Sequence, residues 1–161
     1  MKRNFLISVI YAAVLAVLSS CSGKFEVGHD VDSSLYLLKY GKCEVTVSPD
    51  SREHRIYVCK GGLNDDVFAV SLTVDAEDLV SYNAKYMSDY RILPPNSYEF
   101  SMMNMLVGKE DVKTEVLVSF DYDCLPEGTS VLPVRLKCTS DRAVRMPEDY
   151  SVAYIFVTKG E

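Results

Sequence analysis

The chain has 161 residues, no tryptophan, eleven tyrosines and a formal net charge of −6, with 23 acidic side chains against 17 lysines and arginines. That length suits one domain around a single packed core. An acidic surface repels phosphate backbones, which sets nucleic acid aside as a partner.

The first twenty residues have three parts: basic Lys2 and Arg3, an apolar run over residues 5–18, and small Ser19 and Ser20. This is the layout of a secretory signal. The run is too short to span a membrane, which takes roughly 20 apolar residues. It ends in Leu18-Ser19-Ser20-Cys21, which resembles the bacterial lipobox. The resemblance implies that Cys21 receives a diacylglyceryl group and becomes the mature N-terminus. Two or three acyl chains hold a protein firmly at a bilayer, because each buried methylene contributes about 0.8 kcal/mol. Cleavage leaves 141 residues and, with two positive charges gone, shifts the net charge from −6 to −8. The expected location is the cell envelope, as an outer membrane lipoprotein.

Residues 21–34 are polar, include His29, Asp30 and Asp32, and show no sustained period. They read as the lipidated N-terminus and a tether, with the folded domain over residues 35–161.

From Cys43 onward apolar side chains recur at every second position, the pattern of strands with one buried face. Val45 and Val47 alternate with Thr46 and Ser48, Pro49-Asp50-Ser51 turns the chain, and Ile56 and Val58 resume the alternation. Gly61-Gly62 and Asn64-Asp65 make the next turn, ahead of Phe68, Val70, Leu72 and Val74. Asp75 then offers an N-cap, Glu77 and Asp78 place negative charge on a first turn, and Leu79, Val80, Tyr82, Asn83 and Tyr86 fit a short helix. Leu93-Pro94-Pro95 stops its continuation.

Strands follow at Tyr98, Phe100 and Met102, with a short extension from Met105 to Val107, and then at Val116, Val118, Phe120 and Tyr122. Leu132, Val134 and Leu136 make another, and residues 151–158 a last one, apolar on both faces. About seven short strands with one short helix predict an all-β, immunoglobulin-like β-sandwich.

Four cysteines remain after Cys21: Cys43, Cys59, Cys124 and Cys138. An exported protein can form disulfides, and four cysteines allow three pairings that the sequence leaves open. Strand parity points Cys43, Cys124 and Cys138 inward and Cys59 outward, which disfavours a regular Cys43 to Cys59 cross-strand bridge. Buried free thiols are the alternative. The spacing lacks C-x-x-C and paired histidines, so no metal site is expected.

No catalytic set emerges. His29 falls in the tether and His54 at a hairpin turn, where a solvated role is expected. Asp121 and Asp123 share one strand face about 7 Å apart, which suits solvated charge better than a glycosidase pair converging from separate segments. Asp65 and Asp66 read as a turn rather than a calcium loop. Tyr82, Tyr86 and Tyr90 stand four residues apart and share one face. Such a stripe either packs the helix onto a sheet or presents a tyrosine surface to sugar or protein. Tyr36 and Tyr40 allow the same two readings.

One further pattern is informative: Val74-Asp75, a helix carrying Tyr82-Asn83, Leu93-Pro94 followed by Tyr98, Gly108 before a strand, and Leu132-Pro133 opening the next. In this order the pieces resemble the immunoglobulin-like module called domain of unknown function 1735, over residues 35–157. The resemblance implies a surface lipoprotein of Bacteroidota. In that family the module precedes a glycosidase, a lectin-like domain or another glycan-binding domain, and here no second domain is expected. The combined expectation is a non-enzymatic, lipid-anchored envelope protein without a cofactor, serving as a binding or accessory module in glycan capture or surface protein assembly. The competing expectation is a structural or adhesin-like subunit that pairs with other envelope proteins, with the apolar last strand available for exchange.

Overall fold

The computed structural model describes residues 33–62, 65–108, 113–140 and 144–161. The expected signal, Cys21 and the expected tether up to residue 32 lie outside the described residues. Among the described residues, ten strands form two packed sheets, accompanied by one α-helix, an all-β sandwich as the alternation requires. In chain order they are β1 (Ser34–Leu37), β2 (Gly41–Val47), β3 (Glu53–Gly61), β4 (Phe68–Val74), α1 (Ala76–Tyr86), β5 (Arg91–Ile92), β6 (Tyr98–Phe100), β7 (Asn104–Val107), β8 (Lys113–Phe120), β9 (Thr129–Cys138) and β10 (Val152–Lys159).

One sheet has four strands in the order β1-β3-β8-β6. The other runs β2-β10-β9-β4-β7, and β5 joins it by pairing in parallel with β9. Its last strand, β10, is antiparallel to β9 and parallel to β2. The period of two then sorts the side chains. Leu35, Leu37, Ile56, Val58, Val116, Val118 and Phe120 project from the first sheet onto Phe68, Val70, Leu72, Leu132, Val134, Leu136, Ile155 and Val157 of the second, all buried in one core.

The count of ten corrects the expected seven, for three physical reasons. The segment read as leading out of the tether contains a strand, β1, which is hydrogen-bonded to β3. After it the chain changes sheets, and Gly41, at φ 67°, supplies the left-handed backbone that starts β2 beside β10. The extension of β6 proves to be a separate strand, β7, in the opposite sheet. Between them Ser101 donates its N–H to Leu117 O and accepts the Leu117 N–H on its Oγ, while Met103 O accepts from Leu72 N–H, so the crossover leaves these groups paired. Two-residue β5 has too little alternation to be seen in sequence. It pairs Arg91 and Ile92 with Ser130 and Val131, nearer the start of β9 than the residues that β4 occupies.

The expected strand over residues 116–122 is also cut short. β8 stops at Phe120, and Asp121 caps a 3-10 turn over Tyr122–Cys124 by accepting the Asp123 N–H at 3.1 Å. Asp121 and Asp123 therefore do not share a strand face. The helix forms where its signals lie. Asp75 accepts the Glu77 N–H at 3.0 Å, and Met87 ends the helix at φ 50°, donating its N–H to Asn83 O.

Met87 is 96% exposed, so its left-handed backbone costs strain that no packing offsets, and glycine adopts this conformation freely. Met87→Gly is expected to raise stability by about 0.5–1 kcal/mol, read as a higher midpoint in urea unfolding with an unchanged slope.

Candidate functional site

The outer face of the six-stranded sheet carries the molecule's main aromatic cluster. Along β10 the inward positions Ala153, Ile155 and Val157 join the core, so Tyr154 and Phe156 point outward. On β9 the outward partner of Phe156 is Val131. Helix α1 lies across these side chains, burying Leu79 against Val131 and Phe156, with Tyr82 and Tyr154 packed at the margin.

Tyr82 is the centre of the cluster. Its ring centroid is 4.5 Å from Tyr86, 4.5 Å from Tyr154, 5.7 Å from Phe156 and 6.5 Å from Tyr90. Tyr90 stands edge-on to Phe156 at 4.8 Å, within the range where such pairs add to apolar burial. Burial pushes the Tyr82 phenol above its ordinary value, and does the same to Tyr154, where the Asp78 carboxylate adds to the effect.

Two polar devices hold this arrangement. Asp78, on the first turn of α1, meets Arg135 of β9 in a forked ion pair, with Nε 2.9 Å from one carboxylate oxygen and Nη2 on the other. The pair is mostly buried and fixes the helix to the sheet. Asn83 anchors the loop after the helix: its amide donates to Tyr90 O at 2.9 Å, and its Oδ1 accepts from Ser88 Oγ at 3.0 Å and from Tyr90 N–H at 3.2 Å. Tyr90 is thereby brought beside a helix that it does not belong to.

Beside this cluster opens a groove of about 610 Å³, a size ordinary for small-ligand sites. Tyr82, Tyr86 and Tyr154 form an aromatic wall, and Gly41 and Lys42 of β2 form an edge. Glu148 and Asp149, on a 3-10 turn over Glu148–Tyr150, supply acceptors at one end, and Lys85 supplies a donor. The Lys42 ammonium sits 5.0 Å from the Phe156 ring centroid and shares a 2.6 Å ion pair with Glu44; Lys85 sits 5.4 Å from the Tyr86 ring. An aromatic wall flanked by such groups suits a ligand with both apolar and hydroxyl faces.

The tyrosines singled out by their spacing thus divide. Tyr82 packs the helix on the sheet, while Tyr86, 55% exposed, and Tyr90 keep open faces. Sequence spacing could not supply Tyr154, Lys42 or the Glu148–Tyr150 turn, which come from distant strands. The one available signal was that the last strand is apolar on both faces, so its outer face needed a cover.

Cys43, Cys59, Cys124 and Cys138 are free. Cys43 pairs with Ile155, which pairs with Leu132, and Cys138 lies six residues along β9 from there, about 20 Å at the strand rise. A disulfide requires Cα atoms within roughly 7 Å. Cys59 has the outward parity expected of it, in register with Tyr36 and Lys113, yet neighbouring side chains bury it. Cys124 does not face inward from a strand: it sits in the 3-10 turn, half-buried, where a hydrogen bond with Asp121 raises its pKa. His54 is inside β3 rather than in a turn, on the parity of Ile56 and Val58, and burial holds its imidazole below the usual value. Among the described residues no group of three or more His, Cys, Asp or Glu side chains converges as a metal site. None of the described helices is long and apolar enough to cross a membrane.

A two-sheet sandwich with a helix across one outer face is an immunoglobulin-like module. The model of a family described as "-like, N-terminal domain" matches residues 31–143, most of the chain, and the chain belongs to that family. Its fold recurs in a candidate carbohydrate-binding protein from Bacteroides ovatus, with 20% identity and a TM-score of 0.64 over 80% of this chain and 37% of that one. It recurs in a multidomain protein including DUF1735 from Bacteroides ovatus, with 14% identity and a TM-score of 0.54 over 79% of this chain and 43% of that one. A third instance is EndoBT-3987 of Bacteroides thetaiotamicron, solved with a Man5GlcNAc product, with 20% identity and a TM-score of 0.56 over 72% of this chain and 28% of that one. Each likeness is one of fold, and this chain spans less than half of each of those chains. No curated protein matches the chain.

Arg135→Ala leaves Asp78 buried without its partner, and a charge-assisted hydrogen bond of this kind contributes about 1.5–3 kcal/mol. The variant is expected to unfold at correspondingly lower urea concentration and to lose the near-ultraviolet dichroism of the stacked tyrosines at the same denaturant midpoint.

Proposed function

We propose that this protein is a non-enzymatic, lipid-anchored module of the bacterial envelope that captures glycan in the tyrosine-walled groove between α1 and β10. The observation that carries the reading is the clustering of Tyr82, Tyr86 and Tyr154 beside paired donors and acceptors on an otherwise polar outer face. Pyranose rings have an apolar face for stacking and a rim of hydroxyls for hydrogen bonds, and the groove offers both. The candidate carbohydrate-binding neighbour and the glycan-bound EndoBT-3987 share the fold and support the choice of ligand class.

Binding is favoured over cleavage by the placement of the carboxylates. Asp78 is committed to Arg135, and Glu148 and Asp149 are adjacent on one turn. Glycoside hydrolysis by the usual route needs two carboxyl groups facing each other across the scissile bond. The strand-exchange alternative is disfavoured by β10. That strand is hydrogen-bonded on both sides and fills the core with Ala153, Ile155 and Val157, so donating it would open the domain.

The mature protein should be retained in native affinity gels by at least one of yeast mannan, arabinoxylan, pectin, chondroitin sulfate or mucin glycans. Tyr86→Ala, which removes the most exposed ring of the wall, should weaken that retention about tenfold with an unchanged melting temperature. Unretarded migration in all five gels would discard the glycan reading.

The anchor has its own test. Cells expressing the full chain should incorporate labelled palmitate into the protein and place it in the membrane fraction, whereas Cys21→Ser should abolish the label and release the protein or leave its signal uncleaved. A labelled or membrane-extracted C21S protein would place the anchor elsewhere.

A further inference from the structure

A second aromatic site adjoins the first. Tyr40 and Tyr150 stack at 4.4 Å between centroids, and both are exposed, at 46% and 42%. They line a groove of about 520 Å³ whose walls also include Tyr36, Leu38 and Pro147, with Arg145 as a donor. The neighbours in sequence of these two tyrosines, Gly41 and Asp149, line the tyrosine-walled groove described above. The two grooves therefore meet along one ridge, made by Tyr40-Gly41 on one side and Asp149-Tyr150 on the other.

The ridge is low and stiff for reasons of backbone. It is the place where the chain passes from one sheet to the other, and Gly41, at φ 67°, makes that turn without a side chain. A Cβ at this position would meet nothing within 4 Å, so the space above it is open. The opposite bank is pinned by the 3-10 turn, in which Ser151 N–H and Oγ both donate to Glu148 O, at 3.1 and 2.8 Å.

Resting on the glycan reading of the groove, we propose that the ligand is an extended oligosaccharide that runs over the Gly41 ridge and occupies both aromatic sites at once. One end stacks on the Tyr82 and Tyr86 wall, the other on the Tyr40 and Tyr150 pair. Glu148, Asp149 and Lys42 meet the hydroxyls between them. Linking two weak sites through one ligand raises the local concentration at the second, so affinity grows with chain length until both are filled. A terminal monosaccharide or disaccharide reaches only one site.

The test uses size-graded oligosaccharides cut from whichever polysaccharide of the five-member panel the mature protein retains, titrated by calorimetry. Affinity is expected to climb with length and then level off. Tyr150→Ala should lower affinity for the longest oligomer about tenfold and leave the shortest unchanged. Gly41→Asn, a residue that tolerates left-handed backbone, places a side chain where the two grooves meet and should lower affinity for the longest oligomer more than for the shortest. Equal affinity for short and long oligomers, or equal losses at both lengths, overturns the extended track while leaving capture in the first groove intact. A dimer in sedimentation velocity that dissociates in Tyr150→Ala would also overturn it, showing the second site to be a contact between copies. Retention by none of the panel removes the glycan reading and this inference together.

Discussion

The structure depends on the alternation of β10. Every second side chain of this strand enters the sandwich, where Ala153, Ile155 and Val157 meet the opposite sheet. The intervening Tyr154 and Phe156 must then point outward, beneath the helix. A strand with one apolar face would have given a core and a wet surface. Because β10 is apolar on both, the outer face of the sheet also demands a cover, and α1 provides it. The same strand is hydrogen-bonded along both sides, to β2 and β9, so the floor of the aromatic cluster is among the least mobile parts of the molecule.

The site is built outward from that floor by fixed parts. Asp78 and Arg135 set the helix on the sheet with a two-point contact that resists rotation. Asn83 ties the following loop back to the helix through three hydrogen bonds and delivers Tyr90. Rigid aromatic walls suit weak, hydroxyl-rich ligands, since little side-chain freedom is lost on binding. The sheet change at Gly41 contributes in the same way. A turn needed by the fold, made without a side chain, stands between the two tyrosine pairs and leaves the space above it open.

Much of this was legible in the chain. The period of two, the turn residues and the cap at Asp75 indicated a sandwich with one helix, and the four-residue spacing of Tyr82 and Tyr86 put them on one helix face. The signals failed where segments were short or paired irregularly. β5 carries too few residues to show alternation, and in β1 the alternation of Leu35 and Leu37 is obscured by the neighbouring Tyr36 and Leu38. β6 and β7 read as one strand because apolar spacing does not reveal that the chain crosses between sheets. Cys124 and Asp123 were given strand parity that ended at Phe120, where the Asp121 cap takes over.

By itself the sequence determined the local terms: which residues face inward, where the helix begins, and which family order the turn and helix motifs follow. Those follow from nearest-neighbour chemistry and periodicity. Only the tertiary structure decided which distant segments meet. Tyr154 under Tyr82, Tyr150 on Tyr40, Arg135 on Asp78, and Cys43 held apart from Cys138 are consequences of strand order and register, and these are settled by packing two apolar faces against each other rather than by any stretch of chain taken alone.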